Sequence, residues 1–156
     1  MKKILPITII SLFIDQLVKI IVINNMNLFD SINIITNFFK ITYVRNTGAA
    51  WSILSGNTWF LIAISLIALV VIYLYFIKDK KLNKLESISY GLLIGGILGN
   101  LIDRIIYGYV IDYLDFKIIN YDFPIFNIAD ICIVISIILI GISLIVGEKN
   151  ARNKNN

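Results

Sequence analysis

Residues 87–107 read SISYGLLIGGILGNLIDRIIY. The run is as long as the roughly 20 residues that a helix needs to cross the hydrocarbon core of a bilayer. Inside it Gly91, Gly95 and Gly99 recur every four residues and form a small-residue ridge along which another helix can approach closely. Gly96, Asn100 and Arg104 make a parallel ridge beside it. Packing gives no reason for Asn100, Asp103 and Arg104 to follow the glycines. Polar and ionised groups at such a place carry a desolvation cost and need a structural or functional reason. Asp103 and Arg104 are sequence neighbours and do not stack along the helix, so the guanidinium is left to donate elsewhere.

Outward from this stretch, three more apolar runs span about residues 4–23, 58–77 and 124–146. With 58% of its 156 residues hydrophobic and 15% charged, the chain reads as one membrane domain over residues 1–147. The expected fold class is an all-α membrane protein with four transmembrane helices, because helices satisfy their own backbone in lipid. Lys2 and Lys3 ahead of the first run resemble the start of a secretory signal. The run is interrupted by Asp15 and Lys19 and lacks a small-x-small cleavage site, so an uncleaved span is expected. The second run carries only Ser65 as a small polar residue in its middle and reads as lipid-facing scaffold.

Lys2, Lys3, Lys78, Lys80, Lys81, Lys84, Lys149, Arg152 and Lys154 all fall on one side of a four-span topology, against Lys40, Arg45 and Lys117 on the other. The positive-inside rule then makes both termini cytoplasmic and turns residues 24–57 and 108–123 outward. Within the first outer segment, Ile32 to Val44 mixes β-branched, aromatic and polar residues, as strands lying on a membrane surface would. Asn46-Thr47-Gly48 supplies a turn, and the Asn- and Lys-rich residues 148–156 read as a disordered cytoplasmic tail. The basic residues are clustered between apolar runs without a continuous basic face, which argues against a nucleic-acid partner despite the formal charge of +4.

The chain has no histidine and a single cysteine, Cys132. An internal disulfide framework, histidine-based triads and the usual zinc sets are therefore excluded, and no metal or other cofactor is expected. Asp15 and Lys19 are four apart with the acid first, the favourable order for a helical ion pair, and are read as bracing. The third span runs outward and the fourth returns. Asp112 and Asp130 thus lie near the same outer interface, Asp130 about 9 Å below Pro124 at ~1.5 Å of rise per residue. Like charges brought close tend to share one proton, which lets one carboxyl activate water while the other protonates or polarises a carbonyl. Asn127, one turn before Asp130, together with Asn46, Asn100 and Arg104, are candidate donors to a substrate carbonyl or oxyanion. Proton-coupled transport and a polar structural network stay open beside this catalytic reading. Asp115 and Asp122 read as solvated surface acids, and Cys132 as a packing residue.

Taken together, Asp15-Gln16-Leu17-Val18-Lys19, Arg45-Asn46-Thr47-Gly48-Ala49-Ala50-Trp51, Gly99-Asn100-Leu101-Ile102-Asp103-Arg104, Val110-Ile111-Asp112-Tyr113 and Phe126-Asn127-Ile128-Ala129-Asp130 resemble the motifs of the lipoprotein signal peptidases, or signal peptidase II, over about residues 10–146. The resemblance implies an aspartic endopeptidase of the bacterial plasma membrane that removes signal peptides from prolipoproteins, cutting N-terminal to a cysteine that carries diacylglycerol. It implies Asp112 and Asp130 as the catalytic dyad, Asn46, Asn100, Arg104 and Asn127 as residues contacting substrate or inhibitor, and Asp15, Lys19 and Asp103 as supports. It further implies a small extracytoplasmic β-cradle within residues 24–57, a monomer among membrane lipids, and binding of globomycin-type inhibitors. Ile131 departs from the serine common in the family after the last aspartate. The leading alternative is a small proton- or ion-coupled carrier with Asp15, Lys19, Asp103 and Arg104 as its relay.

Overall fold

A computed structural model describes residues 3–49, 53–119 and 121–154, with residues 147–154 described by their backbone alone. Among these residues four helices form the membrane body: α1 (Ile4–Asn25), α2 (Thr58–Val71, prolonged by a π-helical stretch, Ile72–Ile77), α3 (Lys84–Tyr107) and α4 (Ile128–Lys154). Each contains a stretch long and apolar enough to cross a bilayer. Most of their apolar side chains point outward: on α2 only Leu61 and Ile62 are buried, as expected of a helix whose surroundings are lipid.

The helix-dominated expectation holds, and the small β-structure expected within residues 24–57 is an antiparallel sheet that also draws strands from residues 110–122, so the label all-α is too narrow. β1 (Ser31–Ile35), β2 (Phe39–Asn46), β3 (Val110–Ile118) and β4 (Tyr121–Asp122) pair in that order. The sheet caps one end of the bundle. The β-branched and aromatic residues of 32–44 do form strands, but they need a partner, and β3 from the other loop supplies it: Val44 lies opposite Asp112, Arg45 opposite Ile111 and Asn46 opposite Val110.

Three helix boundaries also differ from those read off the hydropathy. The fourth helix begins at Ile128, not at 124, because Phe126 bridges to Leu114 of β3 and its ring stacks on Phe116 at 5.7 Å. Backbone paired to a strand is not available to a helix. At its other end α4 runs to Lys154, through most of the segment read as a disordered tail; Asn155 and Asn156 lie outside the described residues. α3 starts three residues before the expected 87, at Lys84, where Asn83 and Glu86 exchange side-chain bonds in a capping box.

The glycine ridges work as expected, each on a different partner. Gly91, Gly95 and Gly99 face α1: a methyl on Gly99 would lie 2.5 Å from Asp15 Oδ2, and one on Gly95 would run into the Ser11 hydroxyl. Gly96 faces α4, where an added methyl would meet the Ala129 carbonyl at 2.5 Å and Ile133 Cγ1 at 2.8 Å. Since the first obstacle at Gly96 is backbone, no rotamer change relieves it. Gly96→Ala is expected to lower stability by about 1–3 kcal/mol, read as a reduced thermal midpoint in detergent. An unchanged midpoint would mean that α4 slides without cost.

Val22 near the end of α1 packs with Tyr43, Ile111 and Tyr113 into a buried cluster under the sheet. Strand alternation then decides the next step: with Ile111 and Tyr113 turned into that cluster, Asp112 between them faces the opposite way.

Candidate active site

Asp112 comes from β3 and Asp130 from the first turn of α4. Asp130 is therefore nearer the helix end than a span starting at 124 implies. It closes that end with Asn127: the Asn127 N–H donates to Asp130 Oδ2 at 3.1 Å, and the Asp130 N–H donates to Asn127 Oδ1 at 3.0 Å. This is a reciprocal cap made by an Asn-x-x-Asp sequence.

Three asparagine amides connect the two acids. Asn127 Nδ2 donates to Asp112 Oδ1 at 2.6 Å, and Asn46 Nδ2 donates to Asp112 Oδ2 at 2.9 Å. Asn100 Nδ2 donates to Asp130 Oδ1 at 2.7 Å, while Asn100 Oδ1 accepts from Asn127 and from Lys19 Nζ, both at 3.1 Å. Every sequence-proposed asparagine thus touches one of the two carboxylates. Arg104 does not: its Nη2 donates to the Gly48 carbonyl at 2.9 Å, holding the turn after β2, and the guanidinium lines the same cavity as both acids.

Beneath this layer Lys19 lies 2.9 Å from Asp15 and 2.8 Å from Asp103, with all three side chains buried. Asp15 Oδ1 accepts the Ala129 N–H at 2.8 Å and Asp103 Oδ2 accepts the Ile111 N–H at 3.1 Å. Each buried acid therefore grips the backbone one residue before a candidate acid. Gln16, not singled out from sequence, joins the brace by donating to Asp103 Oδ1 at 3.0 Å and to the Gly99 carbonyl at 3.2 Å. Its position beside Asp15, as a polar residue in an apolar run, was the available signal. Asp115 is half-buried rather than solvated, accepting the Thr42 hydroxyl at 2.7 Å, and Asp122 is exposed. Cys132 packs against Gly96.

Asp112 and Asp130 open onto a cavity of about 600 Å³ whose other walls are mostly apolar, including Leu61 and Ile64 of α2, Ile97 of α3 and Ile133 of α4. Burial, and then the neighbouring Asp130 charge, push the Asp112 carboxyl up to about 7 against the pull of its two asparagine donors. One cavity thus offers two carboxyl groups, amide donors around them and an apolar wall.

Comparison with known proteins agrees with this architecture. The Signal peptidase (SPase) II family model matches residues 7–146. A lipoprotein signal peptidase of Staphylococcus haemolyticus (strain JCSC1435) is 44% identical over 150 residues, covering 96% of this chain and 93% of the relative. One from Staphylococcus aureus is 45% identical over 140 residues, covering 90% and 86%. Two solved structures, described as bacterial membrane enzyme structures by the in meso method at 2.3 Å and 1.9 Å resolution, superpose with TM-scores of 0.88 and 0.83 at 41% and 42% identity. They cover 96% and 92% of this chain and 92% and 93% of their own. By the extent of these matches the chain belongs to the signal peptidase II family, and is a bacterial membrane enzyme of that type.

Proposed function

We propose that this enzyme is an intramembrane aspartic endopeptidase that removes the signal peptide of a prolipoprotein by cutting on the N-terminal side of a diacylglyceryl-modified cysteine. The observation that carries the reading is the pair of carboxyls from separate elements, Asp112 and Asp130, facing one largely apolar cavity and linked through asparagine amides. Among the described residues neither makes an ion pair with a basic side chain. The pair is left able to exchange a proton with a substrate.

In the proposed reaction one ionised carboxylate takes a proton from water as the water oxygen attacks the scissile carbonyl, and the protonated partner gives its proton to the carbonyl oxygen. The result is a neutral tetrahedral diol. Proton transfer to the amide nitrogen then lets the C–N bond break, giving a carboxyl on the signal peptide and a free amine on the lipidated cysteine. Asn46, Asn100, Asn127 and Arg104 are proposed to orient the peptide and stabilise the developing oxygen charge. Two coupled acids titrate as a unit, so the proton belongs to the pair.

The apolar wall suits a substrate anchored by acyl chains, whose scissile bond would present itself at the membrane surface. The lysine distribution supports cytoplasmic termini and an outward-facing sheet in the bacterial plasma membrane. The same cavity is proposed to take globomycin-type inhibitors, and the enzyme to act as a monomer without a metal or other cofactor. Against the carrier reading stands the closed brace of Asp15, Lys19 and Asp103, in which each charge is already engaged.

The test is cleavage of a diacylglyceryl-prolipoprotein by the purified enzyme in lipid nanodiscs, with the unmodified precursor alongside. Cleavage only of the modified precursor, unaffected by chelators and blocked by globomycin, is expected. Equal cutting of both precursors would remove the proposed specificity, and chelator sensitivity would point to a carboxylate-held metal.

A pH profile adds a second check. The pair needs one proton, and burial beside Asp130 pushes the Asp112 carboxyl up to about 7, so loss of the pair's proton is expected to lower the rate roughly tenfold per pH unit on the alkaline side of about 7. A profile flat to pH 9 would argue that the pair's proton takes no part in the rate-limiting chemistry.

A further inference from the structure

Arg45 lies outside the proposed chemistry. It precedes Asn46 on β2, and strand alternation turns it to the face away from the cavity. There it is exposed but held: its Nε donates to the Tyr43 hydroxyl at 3.1 Å, and its guanidinium carbon sits 4.8 Å from the Tyr109 ring centre and 5.8 Å from that of Tyr43. Tyr107 stacks on Tyr109 at 5.9 Å and extends the aromatic surface. Among the described residues Arg45 has no carboxylate within ion-pair distance.

We propose that Arg45, Tyr107 and Tyr109 form a binding site for the phosphate of an anionic phospholipid headgroup. The first argument is depth. Tyr107 is the last residue of α3, and the Thr58 hydroxyl at the start of α2 donates to the Gly108 carbonyl at 3.0 Å. Tyr109 and Arg45 therefore sit just past the level at which two spans end. Trp59, 85% exposed, marks the same level on α2, as interfacial tryptophans do.

The second argument is chemistry. With Nε engaged by Tyr43 and Tyr109 a second hydrogen-bonding neighbour, the terminal nitrogens of Arg45 still carry N–H groups beyond those the two phenols use, on a planar fork of the shape that meets two oxygens of one phosphate. The tyrosine rings fix the fork's plane in advance, which reduces the ordering cost on binding. Ile105 and Ile106, both exposed on the last turn of α3, offer apolar surface to the acyl chains below such a headgroup.

The third argument is sign. The sheet side of the chain carries few basic residues. One of these, Lys117, lies 3.9 Å from Asp122, whereas Arg45 is rigid and uncompensated, as a site for an external anion requires. A lipid held there would also fix the end of β2, whose next residue, Asn46, donates to Asp112.

The experiment is native mass spectrometry of the full chain, released from micelles containing phosphatidylglycerol or phosphatidylcholine. Wild type is expected to keep one phosphatidylglycerol and not phosphatidylcholine. Arg45→Gln should lower the retained fraction about tenfold, and Arg45→Lys, which keeps the charge without the fork, several-fold. Tyr109→Leu should also reduce it, whereas Lys117→Gln, an equal charge loss elsewhere on the sheet, should leave it unchanged. Because Arg45 is exposed, its variants should melt as wild type does. Unchanged phosphatidylglycerol retention in Arg45→Gln would overturn the proposal, as would an equal loss in Lys117→Gln. Displacement of the lipid by 10 mM inorganic phosphate would replace the lipid site with one for free anions.

Discussion

Asp112→Asn and Asp130→Asn are each expected to reduce prolipoprotein cleavage by about 10⁴-fold or more, because neither amide can take or give the proton that the proposed reaction moves. The fold should survive both changes. An asparagine at 130 keeps one oxygen for the Asn127 N–H, while its new amide meets Asn100 Nδ2 as donor to donor, at a cost of about 1–3 kcal/mol. At 112 the retained oxygen can still accept from Asn127, while the new amide meets Asn46 as donor to donor. That contact costs about 1–3 kcal/mol, set against the gain from no longer burying a carboxyl. Single-turnover cleavage with size-exclusion and melting controls separates the two effects. Activity within tenfold of wild type in a well-folded Asp130→Asn would refute the dyad.

Lys19→Met should be the most destabilising single change outside the cavity. Its ammonium stands between two carboxylates at 2.9 and 2.8 Å, and its removal leaves Asp15 and Asp103 facing one another without a cation. Breaking a buried pair in this way costs about 3–5 kcal/mol. The effect should reach the site as well, because Asp15 holds the Ala129 N–H and Asp103 the Ile111 N–H. The triple variant Asp15→Asn/Lys19→Met/Asp103→Asn should melt well above Lys19→Met, since it removes the uncompensated charges. A triple variant no more stable than the single one would locate the damage in packing instead of charge.

The parts of this molecule set by composition and spacing were legible beforehand. Four apolar runs of bilayer length have one solution for their backbone, and glycines at every fourth residue have an evident packing use. Asp15 and Lys19 announced their pairing by a spacing of four. What depended on long-range backbone geometry was not legible. No local signal tells that Phe126 pairs with Leu114, and so the start of α4 at Ile128 and the place of Asp130 in its first turn were missed. The acceptor for Arg104 is a carbonyl, that of Gly48, which every residue possesses and no residue type advertises. Gln16 was hidden by the stronger charges beside it. The roles proposed for Asp112 and Asp130 rest on topology and on family resemblance together, since an aspartate in a strand looks like any other until its neighbours turn inward.

The strand furthest from the bundle, β1, has all five residues exposed and pairs on one side only, whereas Asp112 and Asp130 are positioned through bonds that begin in α1 and α3. Mutational drift along Ser31–Ile35 therefore leaves the anchoring of both acids intact. The outer rim is thus expected to accept substitutions that the inner clamp would not, so the surface of the molecule can be altered without rebuilding the machinery that holds the two acids.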